Sequence, residues 1–295
     1  SGEASQAVSM AAARHVFVDG FLAAKGASDV LIPRQPLSKL FGDSLSAVIT
    51  RLGVTVCNQS AVRLIEYDKT SSNQNQLNIL VGNTQESFDQ AIVAVPWHQV
   101  SKIISKPLAT TAGIQPETWA SVPTSPISGV HLWFDIPITD APHAVMVGTL
   151  SQWLFPGAVD TSSPGHYYQV VISAARQVRQ ISNDQVTDRI VEELRIAFPK
   201  TRSAKLLASR VVTDPQAVFS IRPEVDSIRP ASSTALPCVH LAGDFVQTGW
   251  PATMEGAVIS GRQAANSCLA ALSQPPVPIS SGLNKNWLTR QLIRP

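Results

Sequence analysis

Leu241-Ala242-Gly243-Asp244-Phe245-Val246-Gln247-Thr248-Gly249-Trp250-Pro251-Ala252-Thr253-Met254-Glu255-Gly256-Ala257-Val258 is the stretch that decides the fold. The short apolar run from Val239 to Ala242 reads as a buried strand that stops at Gly243-Asp244. Gly249 and Pro251 mark a loop, and Thr253 is a good N-cap for a helix beginning there. Along that helix Gly256, Ala257, Ser260, Gly261, Ala264 and Ala265 place small residues on one face. A glycine inside a helix costs roughly 1 kcal/mol against alanine, so something is expected to approach this face closely. The helix N-terminus supplies unpaired N–H groups and partial positive charge, which suit an anionic or electron-rich ligand.

Strand, Gly-Asp, Gly-Trp-Pro-Ala-Thr and Glu-Gly-Ala, in that order and spacing, resemble the C-terminal flavin-binding signature of the amine-oxidase and phytoene-desaturase superfamily of FAD enzymes. The resemblance implies an α/β architecture, a Rossmann-like FAD/NAD(P)-binding lobe carrying an inserted, strand-rich α+β substrate lobe. It implies that Gly243 and Asp244 meet the ribityl-pyrophosphate part of FAD. It implies too that Thr253, Met254, Glu255, Gly256 and Ala257 lie under the pyrimidine edge of the flavin. Val62 would meet the adenine-ribose region through its backbone, since a main-chain N–H and C=O pair with a base edge without a special side chain.

Several segments narrow the resemblance to the squalene-associated branch, the hydroxysqualene dehydroxylases: Ala27-Ser28-Asp29-Val30-Leu31-Ile32-Pro33-Arg34, Val95-Pro96-Trp97-His98, Ser125-Pro126-Ile127 with His131-Leu132-Trp133-Phe134-Asp135, Gln152-Trp153-Leu154-Phe155, and Val171-Ile172-Ser173-Ala174-Ala175. The activity so implied is reductive removal of an allylic hydroxyl from a long isoprenoid, with FAD as cofactor. Two other readings stay open: a carotenoid-type desaturase, and a non-catalytic lipid-binding remnant. Sixteen glycines are present and no two are separated by a single residue, so the dinucleotide-binding G-x-G-x-x-G is missing. The chain therefore reads as the C-terminal part of a longer flavoprotein. By itself it is expected to hold FAD weakly and to be inactive.

Composition excludes other classes. A net charge of +2 without any Lys/Arg-rich run gives no nucleic-acid footprint. Charged residues make up 15% against about 25% in ordinary domains, which fits either apolar surface around a lipophilic substrate or a large core with a sparsely charged exterior. Cys57, Cys238 and Cys268 are odd in number and far apart, and read as reduced core residues of a cytoplasmic protein, with no metal site. No apolar run approaches the about 18 residues that span a bilayer; attachment to a membrane surface or to upstream squalene-pathway synthases is an expectation from the resemblance alone.

Along the chain, residues 1–34 read as a helix and connector of the substrate lobe, and 35–100 as the middle segment of the FAD-binding lobe. Residues 101–235 read as the substrate lobe, 236–272 as the C-terminal FAD segment and 273–295 as a poorly ordered tail. Within them, Leu37 to Leu52 has helical spacing ending at Gly53, and Val54 to Cys57, Ala61 to Tyr67 and Gln76 to Val81 read as strands. Gln90 to Pro96 is a continuous apolar strand of the doubly buried kind. Asp184 to Phe198 is the clearest helix, with Val186, Ile190, Leu194 and Ile196 or Ala197 as its apolar face.

The chain has no G-x-S-x-G, H-E-x-x-H, C-x-x-C or P-loop. Ionising an allylic C–O bond needs a dry pocket, nearby π faces and an acid. Trp133, Trp153, Phe155, Tyr168 and Trp250 are the pocket candidates, with Phe134 and Tyr167 near them; each is also an ordinary core residue type. For the acid, His98 and Asp135 are the candidates: an imidazole donates near neutral pH, although His98 also suits a helix cap.

Overall fold

A computed structural model describes residues 8–33, 35, 37–67, 76–157, 165–280 and 287. The chain divides into two compact units. One, the strand-rich unit, is drawn from the described residues of Ile32–Ser44 and Pro123–Ser220. The other, the α/β unit, is drawn from those of Ser5–Leu31, Leu45–Val122 and Ile221–Pro295.

The α/β unit begins with α1 (Met10–Arg14), which runs into a π-helix over His15–Leu22. The second expected helix forms as a π-helix over Ser38–Asp43 followed by α2 (Ser44–Arg51), and the boundary between the units falls within it. Its apolar face is not a core face, because α2 buries none of its residues and Leu45 and Val48 stay exposed. Gly53 closes it with φ +75°, a conformation that glycine adopts freely. Val54 to Cys57 is exposed and is no strand, for no described strand pairs with it. Cys57 is correspondingly exposed rather than a core residue.

β1 (Val62–Tyr67), β2 (Leu77–Val81) and β3 (Thr84–Phe88) form an antiparallel meander. β3 is wholly exposed, so it lacks the apolar alternation by which a strand is found in sequence. β4 (Ala91–Val93) buries Ala91 and Val93 but leaves Ile92 43% exposed. The doubly buried strand expected here is thus covered on one face only. Three short helices follow: α3 (Trp97–Ile103), α4 (Lys106–Ala112) and α5 (Pro116–Ala120). They place residues 101–122 in the α/β unit, tied to β1 by Ser105 N–H donating to Ile65 O at 3.0 Å.

The strand-rich unit is a five-stranded antiparallel sheet in the order β6-β7-β8-β5-β9. β5 is Thr124–Phe134, β6 Ala144–Val145, β7 Trp153–Pro156, β8 His166–Ser173 and β9 Leu206–Phe219. β5 takes in Pro126 at a register shift between Ser125 and Ile127. α6 (Asn183–Ala197) is capped by Ser182 and Gln185 in a reciprocal capping box. Its Val186, Ile190 and Leu194 pack with Val130, Leu132, Phe134, Val170 and Ile172 to make the core. Thr187 and Val191 complete that face, whereas Ile196 is 72% exposed. From Ile127 along β5 and from Tyr167 along β8, alternation sends every second residue to the opposite face of the sheet.

The α/β unit closes with α7 (Pro223–Asp226), β10 (Val239–Leu241) and α8 (Met254–Ala271). Residues 221–235 belong here and not to the strand-rich unit: Ala235 N–H donates to Ala112 O, and Trp119 Nε1–H to Ile228 O. Residues 8–31 also belong here, with Ser9 N–H donating to Ile221 O at 2.9 Å. Most of the last 15 residues, where a tail was expected, lie outside the described residues.

Glu193 of α6 fastens the loop that leads into β7. Its carboxylate accepts from Leu150 N–H at 2.9 Å, Ser151 N–H at 2.8 Å, Ser151 Oγ at 2.7 Å and Arg189 Nε at 3.4 Å. Burial opposes its charge, yet these donors together hold the carboxyl below its ordinary range. Glu193→Gln should therefore lower stability at neutral pH by about 2–3 kcal/mol. A depressed folded-state pKa contributes stability above the unfolded value, about 4.3, and loses it as pH falls through the lower folded value. Thermal unfolding of the two proteins should converge in acid; a constant gap from neutral pH downward contradicts the assignment.

Candidate cofactor site

β10 is buried throughout and pairs in parallel with β4: Val239 with Ala91, His240 with Ile92, Leu241 with Val93. Ala242 N–H extends the pairing to Val93 O at 3.0 Å. At the strand end Gly243 adopts φ +144°, and a Cβ there would stand 2.6 Å from the Phe245 ring tucked beneath it. Gly243 N–H donates to Ser260 Oγ at 2.8 Å, which joins the strand end to the second turn of α8. Arg229 clamps the loop beyond. Its side chain, only 4% exposed, donates to the carbonyl oxygens of Asp244, Phe245 and Val246 at 3.1, 3.3 and 2.7 Å and pairs with Asp226 at 3.1 Å. Sequence reading missed Arg229; a lone arginine before a proline carries no motif, and its role exists only once the loop folds over it.

Thr253 is the N-cap of α8, with Oγ1 accepting from Gly256 N–H at 3.1 Å and donating to Pro251 O. Thr253, Met254 and Glu255 are exposed, and the N–H groups of Met254 and Glu255 have no acceptor among the described residues. Asp244 is half-buried. Burial pushes its carboxyl above the usual range, opposed by the Arg229 charge and by its own and Phe245's N–H. An under-partnered acceptor and a set of open donors therefore stand at the two ends of one loop. This donor and acceptor set fits FAD: Asp244 would accept from ribityl hydroxyls, and the α8 N-terminus would face the electron-rich edge of the ring.

Gly256 is small for a reason other than the one expected. A Cβ would meet Pro251 O at 3.1 Å and the Trp250 Cβ at 3.3 Å, so it is the loop itself that approaches. Of the small-residue face only Gly256, Ser260 and Ala264 are buried, and α8 packs with β10; Ala257 is half-buried and Gly261 faces open space. Val62 opens β1, an edge strand of its sheet, so its outer backbone edge is not taken up by a further strand of that sheet.

The acid candidates fall in different units: His98 lies in the α/β unit and Asp135 in the strand-rich unit. His98 is the second residue of α3, set edge-on to Trp97, and its buried Nδ1 has no partner among the described residues. It does not cap that helix, whose N-cap is Pro96. Asp135 is exposed, and its Oδ1 accepts from Lys205 N–H at 2.7 Å to close the β5–β9 ladder. That is a strand-end bond, not an acid held in a dry pocket. Trp133, Trp153 and Phe155 share the sheet face opposite α6: Trp153 pairs with Val171 and Phe155 with Gln169, while Trp133 pairs with Tyr167. Tyr168 does not join them. It is 3% exposed, lies in the core and accepts from Ile138 N–H at 3.0 Å, so its neighbour Tyr167 is the residue on the aromatic face. Trp250 lies in the α/β unit, stacked on His15 at 5.1 Å. The cleft between α5 and residues 227–235 contains none of these residues. Among the described residues there is no cluster able to hold a metal ion and no helix long and apolar enough to cross a membrane.

The family model for flavin containing amine oxidoreductases matches residues 12–269. The chain belongs to that family. The family's cofactor is FAD, in keeping with the loop just described. Over 168 residues the chain is 29% identical to the hydroxysqualene dehydroxylase of Sinorhizobium fredii, covering 57% of this chain and 38% of the relative. Over 186 residues it is 26% identical to the 15-cis-phytoene desaturase of Narcissus pseudonarcissus, covering 56% and 32%. It thus spans roughly a third of the length of these relatives. Cyclohexylamine oxidase of Brevibacterium oxydans superposes with a TM-score of 0.60 at 15% identity, over 92% of this chain and 62% of that one, which shows the shared α/β fold.

The raised Asp244 carboxyl separates a binding role from a stabilising one. A raised folded-state pKa means stability that is present below the unfolded value, about 3.9, and lost as pH rises through the folded value. Compared flavin-free, Asp244→Asn should hence unfold at a temperature equal to or above that of the parent at pH 7, with the gap closing in acid, while flavin retained on purification falls. A variant that melts lower at pH 7 yet keeps its flavin contradicts this role.

Proposed function

We propose that the chain is part of an FAD-dependent oxidoreductase that acts on a long isoprenoid and reductively removes the hydroxyl of hydroxysqualene to give squalene. The observation that carries the reading is the sheet face of the strand-rich unit, where Trp133, Trp153, Phe155 and Tyr167 present ring surfaces opposite the core. A long hydrocarbon finds apolar contact there, and the π faces can stabilise positive charge at an allylic carbon as its C–O bond ionises. The hydroxysqualene dehydroxylase relative and the branch-like segments at Trp133 and Trp153 support the same substrate class.

FAD, when bound, supplies hydride chemistry. The α/β unit's own part is to hold that cofactor through Asp244 and the open N–H groups of α8 and to keep the loop rigid through Arg229; the strand-rich unit's part is to offer aromatic surface to the hydrocarbon. A desaturase acting on a carotenoid precursor is the second reading, favoured by the phytoene and zeta-carotene desaturase relatives. The intact cap and clamp around Asp244 weigh against a lipid-binding remnant, which has no need of them.

The test is product analysis with the natural full-length protein. Supplied with reduced FAD under anaerobic conditions, it should convert hydroxysqualene to squalene. Dehydrogenation of phytoene with oxidised flavin, and no squalene from hydroxysqualene, would establish the second reading instead.

A further inference from the structure

On the aromatic face of the strand-rich unit one cross-strand row is polar. Arg210, His131 and Gln169 stand side by side on β9, β5 and β8, with Phe155 of β7 next in register. The row on one side holds Val212, Gly129, Val171 and Trp153; that on the other holds Ala208, Trp133 and Tyr167. A polar island therefore lies between two largely apolar rows, and the glycine is at its edge.

His131 Nδ1 and Tyr167 Oη are 2.6 Å apart, and their rings stack with centroids 5.8 Å apart. Burial, with the nearby Arg210 charge, lowers the imidazole pKa, and burial raises that of the phenol. With the phenol protonated and the imidazole pKa held down, the tautomer in which Tyr167 Oη donates to Nδ1 leaves the imidazole proton on Nε2, and it is this tautomer that an acceptor at Nε2 requires. Nε2 has no acceptor among the described residues, and neither has the Gln169 amide. Both nitrogens lie beside one place: a Cβ added to Gly129 would stand 3.6 Å from His131 Nε2 and 3.4 Å from Gln169 Nε2. Gly129 lies within a strand, where glycine weakens the sheet and often marks a close approach. Its backbone does not require glycine, because its φ is not positive.

We propose that the gap over Gly129, flanked by His131 Nε2 and the Gln169 amide, is the seat for the hydroxyl oxygen of a long isoprenoid alcohol, with Tyr167 positioning the imidazole. The proposal rests on the isoprenoid reading above and assigns the polar end of that substrate to this face. The oxygen accepts from Nε2–H and the amide, and the hydrocarbon chain lies along the adjoining valine and tryptophan surface. A hydrocarbon without the hydroxyl finds the same apolar contact but leaves both donors unmet.

The experiment measures binding of farnesol and of squalene to the flavin-loaded natural protein through quenching of tryptophan fluorescence. The parent should prefer the alcohol, per unit of apolar surface, by about tenfold, the worth of a buried hydrogen bond of about 1.4 kcal/mol. Gly129→Ala fills the gap with a methyl group at ordinary contact distance, so the fold should survive, as circular dichroism will verify. It should weaken farnesol about tenfold and leave squalene unchanged. Tyr167→Phe, which keeps the ring, should weaken farnesol by a smaller factor through loss of the fixed tautomer. Equal farnesol binding by the parent and both folded variants overturns the proposal while leaving the isoprenoid reading intact. Failure of the parent to bind either lipid overturns both.

Discussion

The parallel pairing of β4 with β10 is the constraint on which the α/β unit depends. It joins strands roughly 150 residues apart in the chain through three residue pairs and the Ala242–Val93 hydrogen bond. Closing so long a loop adds little more entropy than closing a shorter one, since the cost grows only logarithmically with length. A short ladder suffices because β10 is fully buried and α8 packs with it. Once the pair is made, Gly243 must turn out of the strand, and its N–H reaches the Ser260 hydroxyl. Arg229 then fixes the carbonyls that follow, leaving the first amides of α8 unused by the fold and the Asp244 carboxyl with only its own and Phe245's N–H as donors among the described residues.

What sequence made legible were the elements whose signals are local. The strand at Val239, the N-cap at Thr253, the helix over Asn183–Ala197 and the strand over Val62–Tyr67 each follow from period, cap or turn chemistry within a few residues. What it left obscure depended on distant partners. Val54 to Cys57 has strand composition and no ladder, whereas Thr84–Phe88 has a ladder and no apolar face. Gly256 was expected to admit a ligand, yet Pro251 and Trp250 of its own loop occupy the space.

The two tyrosines of β8 show how much alternation decides. Tyr167 and Tyr168 are adjacent and chemically identical, but the pleat sends one to the aromatic face and the other into the core, where its hydroxyl meets Ile138 N–H. Register supplies the choice: Tyr167 lies opposite Trp133, and Tyr168 opposite Leu132. Reading β5 and β8 as one antiparallel pair would have picked Tyr167, and the burial of Val130, Leu132 and Phe134 fixes which face is the core. The sparse charge of the chain has a counterpart too, in exposed apolar residues such as Phe17, Phe21, Leu31 and Leu45.

The central claim is that the strand-loop-helix from Val239 to the first turn of α8 is the flavin seat. Amide hydrogen exchange of the natural full-length protein with and without FAD tests it most directly. The account predicts slowed exchange on FAD binding at Met254 and Glu255, whose amides stand open at the start of α8. Tight FAD binding that leaves those two amides unprotected would contradict it.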